Sequence, residues 1–173
     1  ETVGTPAALE YKYDGFRMQI HKTKDRIIIF TRRLEEVTAQ FPDVVEYVIE
    51  HTVGDSFIID CEAVGYDRFK KKYIAFQSIS QRIKRKYNIE EIAKKIPVEI
   101  NIFDIMFKDG KSLININQKE RHSIIEKIVK QEQQKIVIPK SILAYNADEI
   151  KKFYKQSLDA GNEGVMIKSL SSP

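Results

Sequence analysis

The sequence predicts an α+β domain whose mostly antiparallel sheets are flanked by helices. Short segments rich in β-branched residues, several of them alternating apolar and polar side chains, recur along the chain and predict strands. Turn signals rather than helices separate most of these segments, which favours hairpins over a doubly wound parallel sheet. Three other segments carry apolar residues at helical spacing and predict amphipathic helices.

The predicted strands follow one another along the whole chain. The first ends in a turn at Gly15 and places Glu10, Lys12 and Asp14 on a charged face opposite an apolar one. Further strands are predicted over 16–21, 26–31, 57–66, 98–107, 135–138 and 164–168. Asp109-Gly110 predicts a hairpin turn after the 98–107 strand.

The predicted helices are identified by their ends and their apolar faces. The first begins near Pro42, and its predicted stripe consists of Val44, Val45, Val48 and Ile49. The second carries Ile124, Ile125, Ile128 and Val129. The third starts at Asn146, with Glu149 completing a capping box, and ends at Gly161. Its predicted buried face consists of Ile150, Phe153 and Leu158.

The composition is that of a water-soluble globular chain. Its 173 residues, 42% of them hydrophobic and 31% charged, suffice for one domain with a core. No apolar run reaches membrane-span length and no signal-peptide pattern opens the chain. A single cysteine, Cys61, excludes an internal disulfide, and the three histidines lack zinc-ligand spacing. The net charge of +4 is compatible with a polyanionic partner, although the basic runs 68–73 and 82–87 are more typical of solvated faces than of phosphate tracks.

Lys12 is the candidate nucleophile. A lysine attacks phosphorus only as the neutral amine, so its surroundings must favour loss of the proton. Desolvation and the nearby Arg17 favour that loss, whereas Glu10 and Asp14 oppose it unless a metal or a nucleotide changes the local charge. The pattern K-x-D-G is short, and a surface salt bridge explains it equally well.

Four further motifs are ambiguous when each is considered alone. Thr31-Arg32-Arg33 follows a strand and suits phosphate, but a surface pairing with nearby glutamates is favoured by itself. Asp60 and Glu62 share a strand face and must be either paired or bound to Mg²⁺ or a ribose. Phe103 is a core residue by composition. In a regular strand Glu163 and Lys168 point to opposite faces, so both serve one site only if the chain bends near Gly164.

In this order the motifs resemble those of the covalent nucleotidyltransferases, and within them the adenylation domain of ATP-dependent DNA ligases of the archaeal and eukaryotic type. The matching motifs are Lys12-Tyr13-Asp14-Gly15, Thr31-Arg32-Arg33, Asp60-Cys61-Glu62, Ile102-Phe103-Asp104 and Glu163-Gly164-Val165-Met166-Ile167-Lys168. DNA ligases are favoured over their relatives by Glu10-Tyr11 before Lys12, Leu34-Glu35 after Arg33, and Ile105 with Asp109-Gly110 after Asp104. The resemblance covers nearly the whole chain and implies an ATP-grasp-like nucleotidyltransferase fold.

The resemblance also implies a reaction and a set of residue roles. Lys12 would attack the α-phosphate of ATP and form lysyl-AMP, AMP would pass to the 5′-phosphate of a DNA nick, and the 3′-hydroxyl would seal it. The implied ATP- or AMP-binding residues are Glu10, Lys12, Arg17, Arg32, Glu62, Phe103, Arg121 and Lys168. Within that set, Glu10 would meet the adenine edge and Phe103 would stack on the base. The implied Mg²⁺ ligands are Glu62 and Glu163.

The implied setting is a monomer acting on nicked double-stranded DNA in the cytoplasm, or in the nucleus of a eukaryote, without a membrane. DNA ligases of this type carry a lysine-rich motif and an OB-fold domain after the Glu163–Lys168 motif, and many carry a helical DNA-binding domain before the catalytic one. None of these is found within residues 1–173, and a sliding clamp would be contacted through such missing domains. We therefore expect a truncated adenylation domain that binds ATP but is impaired in sealing.

Three alternatives remain open at the level of sequence. An RNA ligase or a capping guanylyltransferase that uses GTP would carry a related motif series. A noncatalytic nucleic-acid-binding module would use its lysines only to track phosphate, and would show salt-sensitive binding without a nucleotide adduct. The ordered carboxylates and the Phe103 segment argue against such a module, because a phosphate track needs neither.

Overall fold

A computed structural model describes residues 4–67, 69, 72–74 and 76–170. The strands are β1 (Ala7–Lys12), β2 (Phe16–Thr23), β3 (Arg26–Thr31), β4 (Phe57–Asp67), β5 (Lys72–Ile74), β6 (Val98–Lys108), β7 (Lys111–Ser112), β8 (Ile136–Val137), β9 (Ser141–Ala144) and β10 (Gly164–Ser169). The helices are α1 (Pro42–His51), α2 (Phe76–Ile83), α3 (Ile89–Lys95), α4 (Gln118–Ile128) and α5 (Ala147–Asp159), with a 3₁₀ turn at Thr38–Gln40. Of the first basic run, Arg68, Lys70 and Lys71 lie outside the described residues.

The larger sheet has the strand order β3-β2-β4-β6-β7, with β5 added to β4 and β8 added to β6. Within the described ranges every strand pairing is antiparallel except that of β6 with β8. The main core lies against this sheet, where Ile59 and Ile100 pack with Val48 of α1 and Ile125 of α4. The predicted α+β class with mostly antiparallel sheets is confirmed.

The smaller sheet has the strand order β10-β1-β9 and packs against α5. Leu9 and Phe153 are the centre of this second core. Helix α5 begins as the sequence predicts, because the Asn146 side chain accepts from the N–H groups of Asp148 and Glu149 at 3.1 and 3.0 Å. It ends at Gly161, whose φ of +86° is a left-handed conformation that glycine adopts without strain.

Two predicted apolar faces differ from the buried faces by one or two positions along the helix. Tyr47 rather than Ile49 is buried on α1, and Ile49 is 63% exposed. On α5, Ser157 is buried and Leu158 is 43% exposed. Successive helical residues differ by about 100° in direction, so an error of one residue moves a side chain from the core edge to solvent. No helix in the described ranges is long and apolar enough to cross a membrane.

Arg82 is the exception to the interpretation of the 82–87 run as a solvated face, since Lys84, Arg85 and Lys86 are exposed. Its side chain is fully buried, and its guanidinium bonds the Asp43 carboxylate at 2.9 and 2.5 Å. It also donates to the carbonyl oxygens of Ile96 and Gln40 and lies 4.4 Å from the Phe41 ring centroid. Helices α2 and α3, which the sequence analysis did not predict, place this arginine beneath α1.

Candidate active site

Antiparallel pairing of β1 with β10 brings the two ends of the chain together at Lys12. Lys12 pairs with Gly164 across the sheet, and the Glu163 N–H donates to the Lys12 carbonyl at 2.9 Å. The Lys12 ammonium donates to the Glu163 carboxylate, 151 residues away in sequence. Strand β10 begins only at Gly164, whose φ is +154°. The chain therefore bends at Gly164, as a shared site for the two residues requires, and both Glu163 and Lys168 line one cavity.

A cavity of about 590 Å³ lies between the two sheets and contains Lys12. Its volume is within the range of small-molecule sites, roughly 300–1,000 Å³. The residues singled out from the sequence that line it are Glu10, Lys12, Arg17, Arg32, Glu62, Phe103, Glu163 and Lys168. Phe76, Pro139 and Met166 also line it and were missed. Strand alternation from Lys168 could have identified Met166, whereas no local signal distinguishes the other two.

Close packing, rather than an unusual backbone angle, explains why residue 15 is a glycine. A Cβ at this position would lie 2.7 Å from both the Ala63 carbonyl oxygen and Glu62 Cγ. Such contacts are far inside van der Waals distance, so the turn after Lys12 tolerates only glycine without a shift. Tyr13, the residue after Lys12, packs edge-on against Tyr73, with the two ring centroids 5.7 Å apart. Burial raises the pKa of Tyr13 to about 12.

Phe103 belongs to the cavity and not to the core, which corrects the expectation from composition. Its ring is half-buried, lines the cavity and lies outside both apolar clusters. Two cations flank it, with Arg17 Cζ at 5.6 Å and Lys168 Nζ at 5.5 Å from the ring centroid. A planar ligand can therefore stack on an aromatic ring within reach of positive charge.

The carboxylates of β4 have separate partners. Arg17 donates to Asp60 at 2.5 Å, so the buried Asp60 is paired, as the sequence analysis required of a buried charge. Burial raises the pKa of Glu62 to about 7, against the opposing attraction of Arg17 and Lys12. Near neutral pH Glu62 is therefore only partly ionised, and a bound cation would complete its ionisation.

Arg32 is placed at the rim of the cavity by a tight turn. The Thr31 hydroxyl accepts from the N–H groups of Arg33 and Glu35 at 3.1 and 3.3 Å, and the Leu34 N–H donates to the Thr31 carbonyl. Among the described residues, neither arginine forms an ion pair with Glu35 or Glu36. The predicted surface pairing with these glutamates is therefore not observed, and Arg32 lines the cavity.

Arg121 is the one residue of the implied nucleotide-binding set that does not line the cavity. It is buried, and its guanidinium donates to Asp104 at 2.8 and 3.3 Å and to the Ile116 carbonyl. These contacts brace Asp104, the residue next to Phe103.

The stability of the protein should depend on pH through Glu62. Because its pKa in the folded chain is about 7, against an ordinary value of 4.5, the folded chain binds more protons between these pH values. The free energy of unfolding contributed by Glu62 therefore falls as pH rises from 4.5 to 7. We expect Glu62→Gln to match the wild type near pH 4 and to be more stable by about 1–3 kcal/mol at pH 8.

Urea unfolding at several pH values measures this difference. Glu46→Gln, at an exposed position of α1, is the matched control for the loss of one carboxylate. A Glu62→Gln stability difference that stays constant from pH 4 to pH 8 would contradict the assigned burial.

Comparison with known proteins identifies the family to which this chain belongs. The family model described as "ATP dependent DNA ligase domain" matches residues 1–173. The chain belongs to the ATP-dependent DNA ligase domain family. A DNA ligase of Nanoarchaeum equitans is 46% identical over 173 residues, and one of Thermococcus onnurineus is 39% identical over 170 residues. These matches cover 100% and 98% of the chain but only 30% of each relative, so this ligase domain spans less than a third of their length.

Solved structures show the same fold at low sequence identity. A mycobacterial DNA ligase D complexed with ATP and MES superposes with a TM-score of 0.68 at 22% identity, covering 98% of this chain and 50% of that chain. The Chlorella virus DNA ligase-adenylate has a TM-score of 0.60 at 16% identity, covering 96% and 55%. The DNA ligase adenylation fold expected from the sequence is therefore confirmed.

Proposed function

We propose that this domain is the adenylate-transfer core of an ATP-dependent DNA ligase, with Lys12 as its nucleophile. The observation that carries the proposal is the position of the Lys12 amine, half-exposed in one cavity with an aromatic platform at Phe103 and arginines at 17 and 32. The platform suits a purine, and the arginines suit phosphate groups. A lysine nucleophile between these two kinds of subsite is placed to attack the phosphate that joins them.

The first step forms lysyl-AMP. The Lys12 Nζ attacks the α-phosphorus of ATP, the bond from that phosphorus to the bridging oxygen breaks, and pyrophosphate leaves with the electron pair. The amine loses a proton in this step, whereas in the structure it donates to the Glu163 carboxylate. The Lys12–Glu163 pair is thus a resting arrangement, and separating or neutralising it is part of activation.

Two further transfers complete the sealing reaction. An oxygen of the 5′-phosphate at a nick attacks the adenylyl phosphorus, the phosphorus–nitrogen bond breaks, and Lys12 regains its proton. The 3′-hydroxyl then loses its proton, attacks the phosphorus of the 5′-phosphate and expels AMP. Arg32, exposed at the cavity rim, is placed to bind a phosphate of the nicked strand.

The residues present fit a magnesium ion. Mg²⁺ is usually held by one or two carboxylates together with substrate phosphates and water, rather than by a full protein cage. The described residues contain no group of three potential metal ligands, but Glu62 and Glu163 line the same cavity as the proposed phosphate contacts. Burial raises the pKa of Glu62 to about 7, and a cation bound beside this carboxyl would favour its ionised form. When bound, Mg²⁺ would neutralise charge on the triphosphate and on the leaving pyrophosphate.

Nicked double-stranded DNA is the proposed partner, and the cytoplasm, or the nucleus of a eukaryote, the proposed location. Contact with a sliding clamp would require segments outside these 173 residues. We propose that the domain acts as a monomer, since residues of a single chain supply Lys12, Phe103 and both arginines of the cavity.

Nucleotide labelling tests the proposal against its relatives. The 173-residue chain is incubated with Mg²⁺ and ATP or GTP labelled at the α-phosphate, and protein-bound label is measured after denaturing electrophoresis. We expect label from ATP and at least about tenfold less from GTP. Label from GTP alone would identify a capping guanylyltransferase, and salt-sensitive DNA binding without any label would identify a noncatalytic module.

A chase separates DNA ligase from RNA ligase. The labelled chain is mixed with duplexes that carry a 5′-phosphate at a nick in DNA or in RNA. We expect AMP to pass to the DNA nick in preference to the RNA nick, and the opposite preference would favour the RNA ligase interpretation.

A further inference from the structure

Asn101 on β6 is a buried amide without a partner. It is 0% exposed, and neither its Oδ1 nor its Nδ2 has a hydrogen-bond partner among the described residues. Most buried polar side chains in native proteins are paired, because an unpaired one lowers stability. Asn101 does not line the cavity that contains Lys12, and none of the sequence motifs includes it. The unpaired amide therefore calls for an explanation.

The register of the larger sheet places Asn101 beside Glu62. Glu62 on β4 pairs with Arg17 on β2 and with Asn101 on β6, so the three side chains form one row across the sheet. Glu62 and Arg17 line the cavity, and the row is therefore on the cavity face. Residues directly opposite each other in antiparallel strands have Cβ atoms about 4.5–5.5 Å apart. At that separation, rotation about side-chain bonds brings the amide of Asn101 within hydrogen-bond reach of the Glu62 carboxyl group.

The other neighbours of this amide on the sheet offer no free acceptor. Glu99, two residues earlier on the same face, already accepts from the Tyr73 hydroxyl and, at 2.6 Å, from a backbone N–H. Phe103, two residues later, and Val137, the partner on β8, have apolar side chains. Among the described residues, the Glu62 carboxyl group accepts no hydrogen bond. Glu62 is therefore the neighbour with which the amide can pair.

We propose that Asn101 is a positioning residue for Glu62. When a nucleotide occupies the cavity, the Asn101 Nδ2 donates to one carboxylate oxygen of Glu62 and fixes the direction in which the other oxygen faces the ligand. Asn101 acts through Glu62 and does not touch the ligand itself, because it does not line the cavity. The amide is unpaired before the ligand binds, so the new hydrogen bond strengthens ligand binding rather than the resting fold. This inference rests on the proposed function, because it assumes that Glu62 meets the nucleotide or its metal ion.

The competing explanation is that Asn101 is a structural residue that only holds β6 in place. The two explanations differ in the effect of Asn101→Leu, which keeps the shape of the side chain and removes its polar atoms. Loss of a paired structural amide lowers stability, whereas replacement of an unpaired one by an apolar group does not. We expect Asn101→Leu to unfold at the same or a higher urea concentration than the wild type. Unfolding at a lower urea concentration would overturn the inference.

A double-mutant cycle tests whether Asn101 acts through Glu62. Equilibrium binding of ATP with Mg²⁺ is measured for the 173-residue chain in a Lys12→Ala background, which prevents adduct formation. We expect Asn101→Leu to weaken ATP binding by about tenfold when Glu62 is present, and by less than about twofold in Glu62→Ala. Asn101→Ala, which adds no bulk, should show the same dependence on Glu62. An equal loss of affinity in both backgrounds would show that Asn101 does not act through Glu62.

Gln118→Leu is the matched control, since Gln118 on α4 is also a buried amide but does not line the cavity. It should leave the affinity for ATP unchanged both with Glu62 and in Glu62→Ala. Intact mass of the chain with Lys12 restored reports lysyl-AMP separately. Absence of lysyl-AMP would overturn the proposed function, whereas additive losses of affinity would overturn only the role of Asn101.

Discussion

Lys12→Arg is expected to lower lysyl-AMP formation by more than about a thousandfold while leaving the fold intact. Arginine keeps the positive charge that pairs with Glu163, but its guanidinium does not lose a proton in proteins and so cannot act as the nucleophile. The measurement is the intact mass of the protein after incubation with ATP and Mg²⁺. The wild-type chain should gain the mass of one AMP, and the variant should gain nothing.

The controls separate chemistry from binding. Lys140→Arg changes an exposed lysine that lies 5.4 Å from the Tyr11 ring centroid and does not line the cavity, and it should form the adduct normally. Lys12→Arg itself should still bind ATP, because Phe103 and Arg17 remain in place. An adduct formed by Lys12→Arg in wild-type yield would show that another residue is the nucleophile.

Arg82→Met is expected to have the largest effect on stability, lowering the free energy of unfolding by about 3–5 kcal/mol. Methionine fills a similar length but leaves Asp43 without its cation and two carbonyl oxygens, of Gln40 and Ile96, without their donor. It also removes the cation above the Phe41 ring, a contact inside the core. Urea unfolding followed by circular dichroism measures the loss.

Arg85→Met is the matched control, because Arg85 belongs to the same basic run but is exposed. It should change stability by no more than about 0.5 kcal/mol. The double variant Arg82→Met with Asp43→Ala should lose less than the sum of the single losses, since the two side chains share one interaction. Equal losses in Arg82→Met and Arg85→Met would contradict the buried network.

Lys12 and Arg82 differ in how far their positions in the structure could be predicted from the sequence. Side chains alternate along β1, so periodicity alone assigns Glu10 and Lys12 to one face. The ends of α5 could likewise be located, because capping is a local interaction between residues three or four apart. The burial of Arg82 could not be predicted in this way. Its partners, Asp43 on α1 and Ile96 before β6, are distant in sequence and come close only when the helices pack.

The mixed α+β class, the candidate nucleophile and, through the ordered motifs, the ligase family were all predictable from the sequence. These conclusions depend on periodicity and on the types of residues at short spacing, and both are local properties of the sequence. The folded structure was needed to establish that Phe103 lines the cavity, that Arg121 does not, and that Glu163 contacts Lys12 across 151 residues. The physical reason is that such contacts arise from the register of paired strands and from which faces are buried, and both are properties of the whole folded chain.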